Sequence, residues 1–202
     1  MYSSRKGIRI SFNAPATLAF VALCIIVQGA AKLAGSNSKV IYTLFSVHRS
    51  SLTDPLTYLR CVTHVLGHTG WSHLVSNMMY ILLLGPMLEE KYGAKNILIV
   101  ILVTAVVTGV IHLLFFPRTT LLGASGVVFA FILMSSITVR EDRTIPVTFI
   151  LVALLYLGQQ VWQGIFRDDN ISQITHIAGG AVGSVLGFLM SKKQSRKDRS
   201  KY

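Results

Sequence analysis

Apolar residues gather into six runs separated by polar gaps: Ala16–Ala34, His73–Glu89, Asn96–Phe116, Ser125–Val139, Ile145–Trp162 and Ile174–Met190. A bilayer core of about 30 Å takes about 20 helical residues at a rise of about 1.5 Å each. The first, third and fifth runs meet that length. The fourth has only about 15 residues before Arg140, and the sixth is little longer. Helices this short must start below the membrane surface, which is tolerated only where the backbone above them lines a cavity. The pattern predicts an all-α polytopic membrane protein of six transmembrane helices.

Between the first two runs lies Gly35–Trp71, too long for a simple connector. It carries apolar groups at Val40–Tyr42, Leu44–Phe45, Leu59 and Val65–Leu66, and reads as a structured loop in the outer membrane interface. No small-residue cleavage site follows the first run, and Lys32 sits in its far end, against a secretory signal peptide. No repeat or second domain is visible. The expected layout is a tail at 1–15, a six-helix domain at 16–191 and a basic tail at 192–202.

Composition agrees with the pattern. Of 202 residues, 52% are apolar and 13% charged, and the mean hydropathy is +0.58, far from a soluble surface. The net charge of +11 raises the question of nucleic acid. However, the basic residues flank apolar runs and form no single polar face, so no nucleic-acid partner is expected. Their distribution predicts orientation instead. Thirteen Lys and Arg fall on the side of both termini and six on the other, which places both termini in the cytoplasm of a cell-membrane protein. The basic tail reads as a solvated helix flank, with attraction to anionic lipid as the other reading. Cys24 and Cys61 provide no disulfide framework.

Polar residues inside spans are costly and so become functional candidates. His73 and Asn77 begin the second run, Gly123-Ala124-Ser125-Gly126 begins the fourth, and His176 lies at the start of the sixth. Even-numbered spans all run from outside to inside, so these residues share one depth. Gly123 and Gly126 allow a tight turn and a close backbone approach beside Ser125. A hydroxyl at a helix start can attack a carbonyl if a base takes its proton, and His176 is the natural base. His73 and Asn77, four residues apart, share a helix face and offer N–H donors to an oxyanion. No acidic residue falls at this depth, leaving a Ser–His pair. Taken alone, GxSG is also what close helix packing produces, and a lone His at a helix end is also an interfacial residue.

At these motifs the chain resembles the rhomboid family of intramembrane serine proteases, in its minimal six-helix bacterial form. The likeness covers about Tyr58–Met190. It rests on Gly67–Asn77 with its HxxxN, on Leu88–Gly93, on Gly123-Ala124-Ser125-Gly126, and on His176–Gly180 with Gly183. The resemblance implies a Ser125 nucleophile, a His176 general base, and His73 and Asn77 as oxyanion donors. It implies that Glu89 hydrogen-bonds a neighbouring element rather than being a solvated end charge. It also implies close approach of helix six to helix four at Gly179 and Gly183, a stripe that Gly187 extends. No cofactor or metal is called for. The expected partners are the lipid bilayer and membrane-protein substrates with a helix-destabilised transmembrane segment, entering past helix five and Gly164–Gln173.

Two departures stand out. Leu59-Arg60 replaces the family's frequent Trp-Arg, leaving a bracing role to Arg60 without the aromatic. Phe129 stands where many relatives have Tyr, keeping an aromatic face for His176 without its hydroxyl. His64 and His68 have an i, i+4 spacing that suits a metal, but no third ligand is near, and they read as structural. His112 has no assigned role. Gln159, Gln160 and Gln163 face either water and substrate or the membrane interface. The function expected is cleavage of membrane proteins near the outer face. The alternatives are a catalytically silent rhomboid-like protein that binds transmembrane helices and, more remotely, a small transporter. The last is disfavoured because no inverted repeat and no mid-span charge is present.

Overall fold

The computed structural model describes residues 12–35, 37–116, 118–137, 147–166 and 170–199. The described side chains exclude 37–38, 156–157, 159–166, 170–173 and 192–199. Among the described residues are eight α-helices: α1 (Pro15–Leu33), α2 (Asn37–Leu44), α3 (Pro55–Thr63), α4 (Trp71–Tyr92), α5 (Ala94–Phe115), α6 (Ser125–Ile137), α7 (Val147–Phe166) and α8 (Asn170–Arg199). A short 3-10 turn, His64–Leu66, follows α3. No strand occurs among them; one antiparallel bridge joins Val47 to Leu121.

Helices α1 and α5, and the Ile174–Ser191 part of α8, are long and apolar enough to cross a membrane. Much of their apolar surface faces outward, as at Leu23, Ile26, Leu98, Leu102 and Val185, which a lipid environment requires and water would not tolerate. Helix α4 has 22 residues but is polar at both ends, with His73 and Asn77 in its first turns and Glu89-Glu90-Lys91 in its last.

Helix α6 is the hub, meeting α4, α5, α7 and α8. Its 13 residues span about 20 Å. Val127, Ala130, Phe131 and Met134 are buried completely, so it is apolar on every side because every side has a neighbour. Its pairing with α8 follows from small residues. A Cβ on Gly179 would strike the carbonyl oxygen of Gly126, and one on Gly183 that of Ala130. The next step along, Gly187, lies against Met134 and Ile137. These three contacts advance by four residues on both helices in the same direction, so α6 and α8 run parallel with their backbones touching.

Elsewhere, buried polar groups act as ties. Glu89, 4% exposed, accepts hydrogen bonds of 2.8 Å from the Ala16 amide, the Thr17 amide and the Thr17 hydroxyl. The free N–H groups that open α1 are thereby satisfied by the end of α4, and Gly85 lets Thr17 approach closely. Buried Arg60 donates to the Thr43 carbonyl at 2.7 Å and pairs with Asp54 at 3.4 Å, joining α3 to the end of α2.

Two expectations change. The sixth apolar run is part of a 30-residue helix that begins at Asn170, so His176 lies in its second turn rather than its first. Polar residues at both ends hide the true helix from a count of apolar positions. Segment 35–71, read as a loop, contains α2, α3 and the 3-10 turn. The basic residues Arg5, Lys6, Arg9, Arg140, Arg143, Arg167 and Lys201 lie outside the described residues. So do the side chains of Gln159, Gln160, Trp162 and Gln163, those of Gly164–Gln173, and those of the tail from Lys192.

Candidate active site

Ser125 is the first residue of α6, and the approach to it is held at several points. Leu121 exchanges two backbone hydrogen bonds of 2.9 Å with Val47. The Gly123 amide donates to the His64 carbonyl at 2.9 Å. The Ala124 amide points at Nε2 of His68, 3.5 Å away. Below the loop, His112 on α5 places Nε2 3.3 Å from the Thr119 carbonyl. The segment 119–124 is therefore gripped from the 35–71 segment on one side and from α5 on the other. Gly123 completes the turn at φ +116°, a conformation L residues avoid.

The hydroxyl of Ser125 lies 2.8 Å from Nε2 of His176. The parallel α6–α8 pairing makes this possible, since Gly179, three residues after His176, sits on Gly126, the residue next to Ser125. Phe129, one turn on from Ser125, has its ring 4.6 Å from that of His176, limiting rotation of the imidazole.

His73 and Asn77 stand on α4 facing Gly123. A Cβ on Gly123 would come within 2.8 Å of His73 Cε1, 3.0 Å of His73 Nε2 and 3.8 Å of Asn77 Nδ2. Glycine at 123 is thus needed for space as well as for φ. Asn77 is buried, and its Nδ2 has no hydrogen-bond partner among the described residues. A buried donor left unsatisfied is costly and marks a place where an acceptor is expected.

These four residues share a cavity of about 490 Å³. Ser76, Tyr80 and Thr175 line it too, along with Thr119–Leu122 of the loop. Among the described residues that line it there is no carboxylate. Ser76 and Tyr80 went unnoticed in the sequence, although they lie three and seven positions after His73 on the same face of α4. His68, read as structural, is fully buried and braces the loop that leads to Ser125. Its Nδ1 faces the Leu66 carbonyl at 3.2 Å, which makes Nδ1 the donor and leaves the Nε2 lone pair for Ala124. Burial, then the neighbouring His73, push its pKa down to about 4. His64 directs Nε2 to the Ala105 carbonyl at 3.1 Å, and burial brings its pKa to about 4 also. Among the described residues no group of three His, Cys, Asp or Glu is placed to hold a metal.

Comparison with known proteins shows the family. Residues 55–193 match the Rhomboid domain family. The Haemophilus influenzae "Rhomboid protease GlpG" is 24% identical over 182 residues, covering 87% of this chain and 91% of that protein. "RHOMBOID-like protein 4" of Arabidopsis thaliana is 31% identical over 130 residues, covering 61% of this chain and 32% of that one. "Rhomboid-like protein 11, chloroplastic", from the same plant, is 26% identical over 145 residues, covering 65% of this chain. The match spans 52% of that second plant protein, so it and the first are matched over about half and a third of their own lengths. With more than half of its residues in the family match, and the motifs converging on one cavity, the chain belongs to the rhomboid family.

Proposed function

We propose that this protein is an intramembrane serine endopeptidase that cuts transmembrane segments of other membrane proteins near the outer face. One observation carries the reading: a Ser125 hydroxyl 2.8 Å from an imidazole, in a cavity that also holds a buried amide donor, Asn77 Nδ2, with no hydrogen-bond partner among the described residues. Helices α1, α4, α5, α6, α7 and α8 are read as the six spans, with both termini cytoplasmic and the cavity opening outward. The short α6 leaves room above its start for water.

In this reading His176 Nε2 takes the proton as Ser125 Oγ attacks the scissile carbonyl. The developing oxyanion is met by His73 Nε2–H, Asn77 Nδ2–H and the Ser125 amide. The protonated His176 then gives its proton to the leaving amine, and a water activated by the same imidazole hydrolyses the acyl-enzyme. Phe129, whose ring packs 4.6 Å from that of His176, helps to orient the base. Gly123, Gly126, Gly179 and Gly183 make the approach possible, and Arg60 and Glu89 brace it from a distance. A substrate helix has to unwind locally, because a helical carbonyl is hydrogen-bonded and shielded.

The purified protein in detergent, mixed with a single-span substrate, is expected to release two fragments, and Ser125→Ala to release none. Full cleavage by Ser125→Ala would refute the assignment. A wild-type protein that neither cleaves nor reacts with a fluorophosphonate would support the silent, helix-binding alternative.

A further inference from the structure

A neutral imidazole carries one ring proton, so His73 can donate from Nε2 only if Nδ1 is bare. The Cε1–Nε2 edge of the ring faces Gly123 and the cavity. The other nitrogen, Nδ1, lies 3.2 Å from the hydroxyl of Thr69, two residues before α4 begins. A threonine hydroxyl can either donate or accept. If it accepts from Nδ1–H, the Nε2 lone pair faces the cavity and repels an oxyanion. If it donates to Nδ1, the proton must reside on Nε2. The neighbouring ring of His68, edge-on at 5.1 Å, does not compete. Its own nitrogens face the Leu66 carbonyl and the Ala124 amide.

We propose that Thr69 is a positioning residue whose hydroxyl donates to Nδ1 of His73 and holds that ring in the Nε2–H tautomer. This rests on the reading of His73 as an oxyanion donor. Thr69 touches no reacting atom; it acts by deciding which way the His73 ring presents its proton. The contact spans one helical turn, from the residue before the cap to the third residue of α4, so α4 itself fixes its geometry.

The test compares Thr69→Val, which keeps shape and removes the hydroxyl, with Thr69→Ser, which keeps the hydroxyl. Loss of one hydrogen bond of this kind predicts a kcat about fivefold lower for Thr69→Val, with unchanged KM and unchanged melting temperature, and Thr69→Ser within about twofold of wild type. In a His73→Ala background, Thr69→Val should cost nothing further. Nitrogen-15 spectra of labelled histidine in detergent should show His73 as Nε2–H in wild type, with an increased Nδ1–H fraction in Thr69→Val. Wild-type His73 protonated on Nδ1, an unaltered tautomer in Thr69→Val, or an equal kcat loss in the His73→Ala background would each overturn the proposal. If no Ser125-dependent cleavage exists at all, the proposed protease function fails separately, and the spectra still decide the tautomer.

Discussion

Gly179 rests on the carbonyl oxygen of Gly126 with no room for a side chain between them. That contact lies one residue from Ser125 and three from His176, and it sets the separation of α6 and α8 there. The distance between hydroxyl and imidazole is thus fixed by two residues without side chains. Van der Waals packing of this kind is what holds helices together in lipid, where no hydrophobic effect drives them.

Substitution along this stripe should therefore be graded. Gly179→Ala and Gly183→Ala strike backbone carbonyls that cannot yield, and both are expected to lower the melting temperature and to reduce cleavage at least about tenfold, since small misplacements of catalytic groups are costly. Gly187→Ala meets the Ile137 and Met134 side chains at 3.3 Å, which can shift, so its effect should be slight. Thermal melting and cleavage measured on the three variants check this order.

Asn77→Ala should separate activity from stability. Its Nδ2 has no hydrogen-bond partner among the described residues, so truncation breaks no polar tie in the folded state. The expected result is a melting temperature near that of wild type and a kcat lower by about 10²–10³. A large fall in melting temperature with intact kcat would show that the residue is structural.

Glu89→Ala should do the reverse. It removes the acceptor for three donors at the start of α1 and leaves them buried and unsatisfied, at a cost on the order of 1–3 kcal/mol each at most. A marked loss of thermal stability is expected, and Glu89→Gln, which keeps an oxygen acceptor, should recover part of it.

Stability should fall as the medium is acidified. His64 and His68 have pKa values near 4 in the folded protein, against about 6.5 in an unfolded chain. Above pH 6.5 both states hold these rings neutral and no proton is exchanged. Between 6.5 and 4 the unfolded chain binds protons that the folded chain refuses, so stability declines, on the order of 1–2 kcal/mol per ring by pH 5. Melting curves from pH 8 to 5 should show the decline. His68→Gln, whose side-chain oxygen can still accept from Ala124, should show a shallower one.

The apolar runs and the motifs within them defined much of this protein before any coordinates. Ser125, His176, His73 and Asn77 were legible as candidates because a polar residue in an apolar run is expensive, and the folded chain lines one cavity with all four. The glycines at 179 and 183 were legible because small residues four apart form a smooth stripe. The ends of α8 were not, since its first and last turns are polar and blend into their flanks.

Tertiary structure alone decided which distant groups pair with one another. His68 reaches the Ala124 amide across 56 positions, Glu89 caps a helix 72 and 73 positions earlier, and Val47 pairs with Leu121. None of these has a local periodicity, because each is a hydrogen bond between segments brought together only by packing. The sequence determined which residues had to leave water and which side chains could carry chemistry. The folded chain determined their partners, because a buried donor or acceptor must be satisfied by whatever group the packing places beside it.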